Sequence, residues 1–107
     1  MGMNRIGEFE ELVLLCVRVL GDAAHGVNIQ ELLLRDAGRR SALGAIYAAL
    51  DRAERKGMVR SWLGEPTAVR GGRRKRHYGL TRVGEYALSE SRRVRDSLWR
   101  SAEEAAP

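Results

Sequence analysis

Cysteine is nearly absent from this chain. The 107 residues hold one, Cys16, so no intramolecular disulfide can form, and a reducing, cytoplasmic setting is the expected compartment. Histidine is almost as scarce: His25 and His77 lie far apart, and with a single cysteine they make a thin inventory for a metal site. Long hydrophobic runs are missing too. Leu12–Leu20 is apolar apart from Arg18, but it is too short to cross a bilayer. Glu8, Glu10 and Glu11 precede it where a signal peptide would carry cations. There are no internal repeats and no long linker. No nucleophile-plus-base pairing, Gly-rich phosphate loop or carboxylate pair stands out, so neither catalysis nor a cofactor is expected. At this length one small core is feasible, and association between copies is an expected source of stability.

Charge is present, and it is concentrated. Residues 1–38 carry three Lys/Arg against six Asp/Glu, a net of −3. Residues 39–82 carry twelve against three, a net of +9, and residues 83–107 four against five, a net of −1. The chain's +5 therefore comes from one central block, the footprint of a polyanion contact. A membrane surface would attract such a block, but the apolar partner face of an interfacial helix is missing. Nucleic acid is the favoured partner.

Inside that block, Gly71 and Gly72 precede Arg73, Arg74, Lys75 and Arg76, and His77–Tyr78–Gly79–Leu80–Thr81 follows. Glycines permit a tight turn, and the residues after the cations suit a returning strand. A cationic hairpin tip shortly after a helix is how a winged helix-turn-helix offers charge to a nucleic-acid backbone; the competing reading is a solvated hairpin with no partner.

Periodicity supplies the rest of the organisation. Phe9, Leu12, Val13, Cys16 and Leu20 line one face of a first helix that stops near Gly21, and Leu15 and Val19 form a second apolar strip. That second strip asks for more cover than one small core gives. A second helix is expected over Asn28–Asp36, with Asn28 and Glu31 as a capping box, Ile29, Leu32 and Leu33 turned inward, and Gly38 as its end. A third starts after Ser41 as N-cap and runs to Lys56, closed by Gly57. Met58–Gly64 and Lys75–Leu80 are expected strands around a wing at Glu65–Arg74, and a last helix runs from Thr81 to about Glu104. Leu43, Ile46, Leu50 and Ala53 make the third helix's inner stripe. Its opposite side, Ser41, Ala42, Ala45, Ala48, Ala49 and Arg52, is small and carries one cation. Small side chains let a helix seat deeply in a major groove, although alanine also serves plain helix propensity.

From Gly7 to about Trp99 the sequence resembles the PadR-like transcriptional regulators. The carrying motifs are His25–Gly26, then Ala42–Leu43–Gly44–Ala45–Ile46–Tyr47–Ala48–Ala49–Leu50–Asp51–Arg52–Ala53–Glu54, and Tyr78–Gly79–Leu80–Thr81–Arg82–Val83–Gly84 after the basic wing. Two positions depart from the family pattern. A threonine common before the Leu-Tyr pair is Ala45 here, and the tryptophan of drug-binding members falls at Arg95, with Trp99 one turn later. The resemblance implies a mainly α (α+β) fold: a winged helix-turn-helix at 1–80 and a dimerisation helix and tail at 81–107, one structural domain overall. It implies a bacterial homodimeric repressor that binds double-stranded DNA at an inverted repeat. Arg39, Arg40, Ser41, Ala42, Gly44, Ala45, Tyr47 and Arg52 are the expected groove and backbone contacts, and Arg70, Arg73, Arg74, Lys75 and Arg76 are expected on the flanking phosphates or in the minor groove. Leu15, Val19, Val83, Ala87, Leu88, Val94, Leu98 and Trp99 are the expected dimer surface. No residue supports a small-molecule effector. The alternative function is a winged-helix interaction module that docks an acidic protein.

Overall fold

Three helices, a hairpin and a long fourth helix follow one another along the chain, in a computed structural model that describes residues 6–65 and 74–105. Helix α1 spans Glu8–Leu20, α2 Gly26–Ala37, α3 Leu43–Arg55 and α4 Arg82–Glu104; strands β1 (Val59–Leu63) and β2 (Arg76–Leu80) pair antiparallel. This is the α-α-α-β-β-α order of a winged helix-turn-helix.

Local chemistry sets the boundaries. The first turn of α1 holds Glu8, Glu10 and Glu11, where the helix dipole favours negative charge, and Gly21 at φ 55° ends it. After a 3₁₀ turn, Gly21–Ala23, the Ala23 carbonyl accepts both the His25 amide and Asn28 Nδ2 at 3.0 Å. Asn28 therefore lies inside α2, whose N-cap is His25, and the expected Asn28–Glu31 capping box does not form. At its other end Gly38 sits at φ 62°, and the Arg39 amide donates back to the Leu33 carbonyl at 3.0 Å, which satisfies a terminal carbonyl of α2. The N-cap of α3 is Ala42 rather than Ser41. Ser41 instead accepts Gln30 Nε2 at its main-chain oxygen at 2.8 Å, and its buried hydroxyl has no hydrogen-bond partner among the described residues.

The core lies where α1, α2 and α3 meet the base of the hairpin. Val13, Leu14, Val17, Ile29, Leu33, Ile46, Leu50 and Met58 are its largest fully buried side chains, each contributing about 1.5–3 kcal/mol by burial. The inward face of α1 is rotated from the expected stripe: Leu14 and Val17 are buried, while Phe9, Leu12 and Leu20 pack at the edge. Ala49, expected on the outer side of α3, is fully buried; a methyl group is too small to announce which side it faces.

The start of α4 belongs to this core. Thr81 caps it by accepting the Gly84 amide at 3.1 Å, donates its own hydroxyl to the Gly57 carbonyl at 2.5 Å, and donates its main-chain amide to the Met58 carbonyl at 3.0 Å. Gly84 lies against the Met58 carbonyl so closely that a Cβ there would overlap its oxygen and also meet Leu80 Cδ2 at 3.0 Å. Backbone cannot yield as a flexible side chain can. Gly84→Ala should therefore cost about 2–3 kcal/mol and lower the melting temperature by roughly 10 °C or more. A variant melting with the wild type would show that this helix start is free to lift.

Candidate nucleic-acid interface

The outer face of α3 is bare. Ala42, Gly44, Ala45, Ala48 and Arg52 are exposed, and among the described residues outside its own helix turn a Cβ added at Gly44 would meet no atom within 4 Å. Arg40, also exposed, precedes the helix, and α3 has no side-chain cap on its first amides. Free amides at a helix N-terminus and a nearby cation suit a phosphate. Ser41, expected among the contacts, is mostly covered.

Tyr47 is half-exposed, but its ring leans on α2: the hydroxyl end lies against Gly26, whose missing side chain makes the room. The ring thus packs beside the first turn of α2 and borders a shallow recess with Asp51, Glu54, Arg76 and Tyr78. Two acids consequently stand at the C-terminal half of the α3 surface, and both are partnered. Asp51 pairs with Arg55, and Glu54 Oε2 accepts the Ser61 hydroxyl at 2.8 Å, which in turn accepts Arg76 Nη1 at 3.0 Å. Arg76, expected on phosphate, is held at the base of the wing by this chain of bonds. Sequence reading missed the relay because its members come from three separate elements.

Arg39 is also engaged. Its guanidinium bonds Glu8 at 2.7 Å and lies 5.1 Å over the Phe9 ring, so it ties the α2–α3 turn to α1. Glu8 is largely solvated and Arg39 partly so, and pairs this open to water contribute at most about 1 kcal/mol. Arg74 and Lys75 are exposed at the start of the returning strand; the expected contacts Arg70 and Arg73 lie outside the described residues.

The wing's base is anchored on its other face. The Tyr78 amide donates to the Ala24 carbonyl at 2.9 Å, and His77 Nδ1 donates to the Asp22 carbonyl at 3.0 Å. His77 stacks on Trp62 at 5.9 Å, with Arg60 4.9 Å over that indole, and meets His25 edge-on at 5.8 Å. Burial first, then the charges of Lys75 and His77, holds His25 below its ordinary pKa, which favours the neutral ring. Trp62 is therefore cover for the hairpin. Cys16 is core, and burial pushes its thiol up to about 11.

The expected association surface divides in two. Ala87 and Leu88 are buried within their own chain, whereas Leu15, Val19, Val83, Val94, Leu98 and Trp99 are exposed. Leu15, Leu88 and Trp99 border an open groove of about 820 Å³ between α1 and α4, with Glu11, Arg18 and Arg95 along it.

No family model matches the sequence, and no curated protein does. Solved structures do. A PadR-like transcription factor from Bacteroides fragilis superposes with a TM-score of 0.73 at 23% identity, over 92% of this chain and 89% of that one. A PadR family regulator from Clostridium difficile matches at 27% identity with a TM-score of 0.56, over 87% and 91%. Bacillus subtilis PadR, solved in complex with operator DNA, matches with a TM-score of 0.63 at 17% identity, over 78% of this chain and 45% of that one. The chain is a winged helix-turn-helix protein with the fold of the PadR-like regulators.

Proposed function

We propose that this chain binds double-stranded DNA as a homodimer and regulates transcription, repressing where it occupies its operator. The observation that carries the reading is the outer face of α3, where Gly44, Ala45 and Ala48 lie open to solvent in the segment of highest positive charge. Glycine has a lower helix propensity than alanine, and at Gly44, in the first turn of α3, no contact from the described residues outside that turn repays the cost. Close approach of a partner's backbone does repay it. The operator complex of the Bacillus subtilis protein supports DNA as that partner. Arg39, Arg40 and Tyr47 would flank the groove on the phosphates, Arg52 would lie along it, and Arg74 and Lys75, with Arg70 and Arg73, would grip the backbone beside it. Release of Arg39 from Glu8 costs little. Two such units about a two-fold axis call for an inverted repeat with half-site centres about 10 bp apart.

Titration of a selected operator and a random duplex across salt tests the reading. Log K should fall steeply with log salt, by about 0.9 per neutralised phosphate. Arg74→Ala with Lys75→Ala should weaken both duplexes alike and flatten the slope by one to two units, roughly one per lost phosphate contact. Sequence preference lost at an unchanged slope would instead assign the wing to base edges, and no affinity for any duplex would favour docking to an acidic protein. Gly44→Ala should hold the melting temperature or raise it slightly, since alanine is the better helix former, and weaken the operator complex. Unchanged operator affinity would mean that the backbone at residue 44 stays clear of DNA.

A further inference from the structure

Neighbouring acids on α1, Glu10 and Glu11, are both nearly buried, at 5% and 8% exposure. Charged side chains occupy such positions only when paired. Consecutive helix positions point about 100° apart, so the two carboxylates reach different elements. Glu10 takes Lys56 Nζ at 2.8 Å, at the C-cap of α3, and Glu11 takes Arg95 Nη2 at 2.7 Å, well along α4. Glu11's side chain is 11% exposed and Arg95's 57%, so this pair is covered on its acid side, whereas the pairs Arg92 makes with Asp96 and Arg93 with Glu90 inside α4 are open to water at both ends.

Arg95 acts at a leveraged place. The last buried residue of α4 is Leu88, and every residue from Arg92 to Ala105 is exposed. Seven residues past that pivot, Arg95 reaches back to α1, beyond the Arg18–Glu85 pair at 3.0 Å that ties the start of α4 to the same helix. At 1.5 Å per residue, Trp99 lies about 16 Å from Leu88, so a 10° change of direction moves it by about 3 Å. That matches one base-pair step of about 3.4 Å. In a dimer joined through the end of α4, both halves carry the error.

We propose that Glu11 and Arg95 are positioning residues for DNA binding: their bond sets the exit direction of α4 and thereby the separation of the two α3 helices, while Glu10 and Lys56 hold the same turn of α1 to the end of α3. The proposal rests on the reading of the chain as a dimeric DNA-binding protein.

The test measures affinity of the full chain for duplexes whose selected half-sites are spaced 9, 10, 11 and 12 bp apart. The wild type should prefer one spacing over its neighbours by about tenfold, the effect of about 1.4 kcal/mol of misfit. Arg95→Met and Glu11→Gln should flatten that preference to within about threefold and leave single half-site affinity unchanged. Arg95→Lys, which keeps the charge, should restore the preference, and Arg93→Met should not disturb it. An Arg95→Met protein with wild-type spacing preference would overturn the proposal. A second readout is independent of DNA. Spin labels at Val27→Cys and Ser101→Cys, in protein diluted with unlabelled chain, should give one narrow intramolecular distance that broadens in Arg95→Met. If no duplex binds, the reading of function fails, and this distance alone decides the role of the pair; an unbroadened distance overturns it.

Discussion

Glutamate at Ala45 should abolish operator binding and leave the protein folded. Ala45 is exposed and is the third residue of α3. Glutamate is a good helix former, and in the first turn its charge is favoured by the helix dipole, so the melting temperature should hold or rise slightly. In the groove the same side chain brings bulk and a negative charge between two phosphate strands. Like-charge juxtaposition costs several kcal/mol, and about 3 kcal/mol already exceeds a hundredfold in affinity. Ala48→Glu, on the same exposed face, should behave alike. Circular dichroism and melting check the fold, and titration with the selected operator checks binding. A correctly folded Ala45→Glu protein that still binds tightly would mean that this face of α3 does not enter the groove.

The elements were legible in the sequence because their signals are local. Gly21, Gly38 and Gly57 each sit at positive φ where the chain turns, and Thr81 caps the helix that follows it. What escaped was settled across distance. Asn28 and Glu31 have the spacing of a capping box, but α2 already begins at Gly26 with His25 as its N-cap, so Asn28 lies inside the helix and its Nδ2 donates back to the Ala23 carbonyl. Ala49 carries too little apolar surface to reveal that it faces the core. Glu10 and Glu11 look like the solvated start of a helix, and only the arrival of Lys56 and Arg95 from distant segments explains their burial. The bare face of α3 was visible as a run of small residues. The engagement of Arg39 by Glu8 and of Arg76 by Ser61 was not, because a cation in a sequence does not name its partner. Ala87 and Leu88 share a face with Leu98, and which part of that face its own chain covers depends on where α4 leaves the body.

That division decides how dimerisation must be tested. Cutting the chain after Arg82 removes Gly84, Ala87 and Leu88, all buried in the core, so loss of the dimer would be indistinguishable from loss of the fold. Leu98 and Trp99, exposed at 66% and 67%, contribute almost nothing to the core of their own chain. Replacing both with aspartate should leave the melting of the monomeric body nearly unchanged, since two exposed helix positions cost only a few tenths of a kcal/mol each in propensity. At a two-fold interface every substitution counts twice. Four apolar side chains with about two-thirds of their surface still to bury represent roughly 4–8 kcal/mol of association, against about 8 kcal/mol for a micromolar dimer. The Leu98→Asp, Trp99→Asp protein should therefore sediment as a folded monomer at micromolar concentration. Its operator affinity should fall by about a hundredfold or more, because each half-site must then be bound without its neighbour, while affinity for random duplex should fall less. A variant that still sediments as a dimer would place the interface away from the end of α4, and with it the geometry that spaces the two α3 helices.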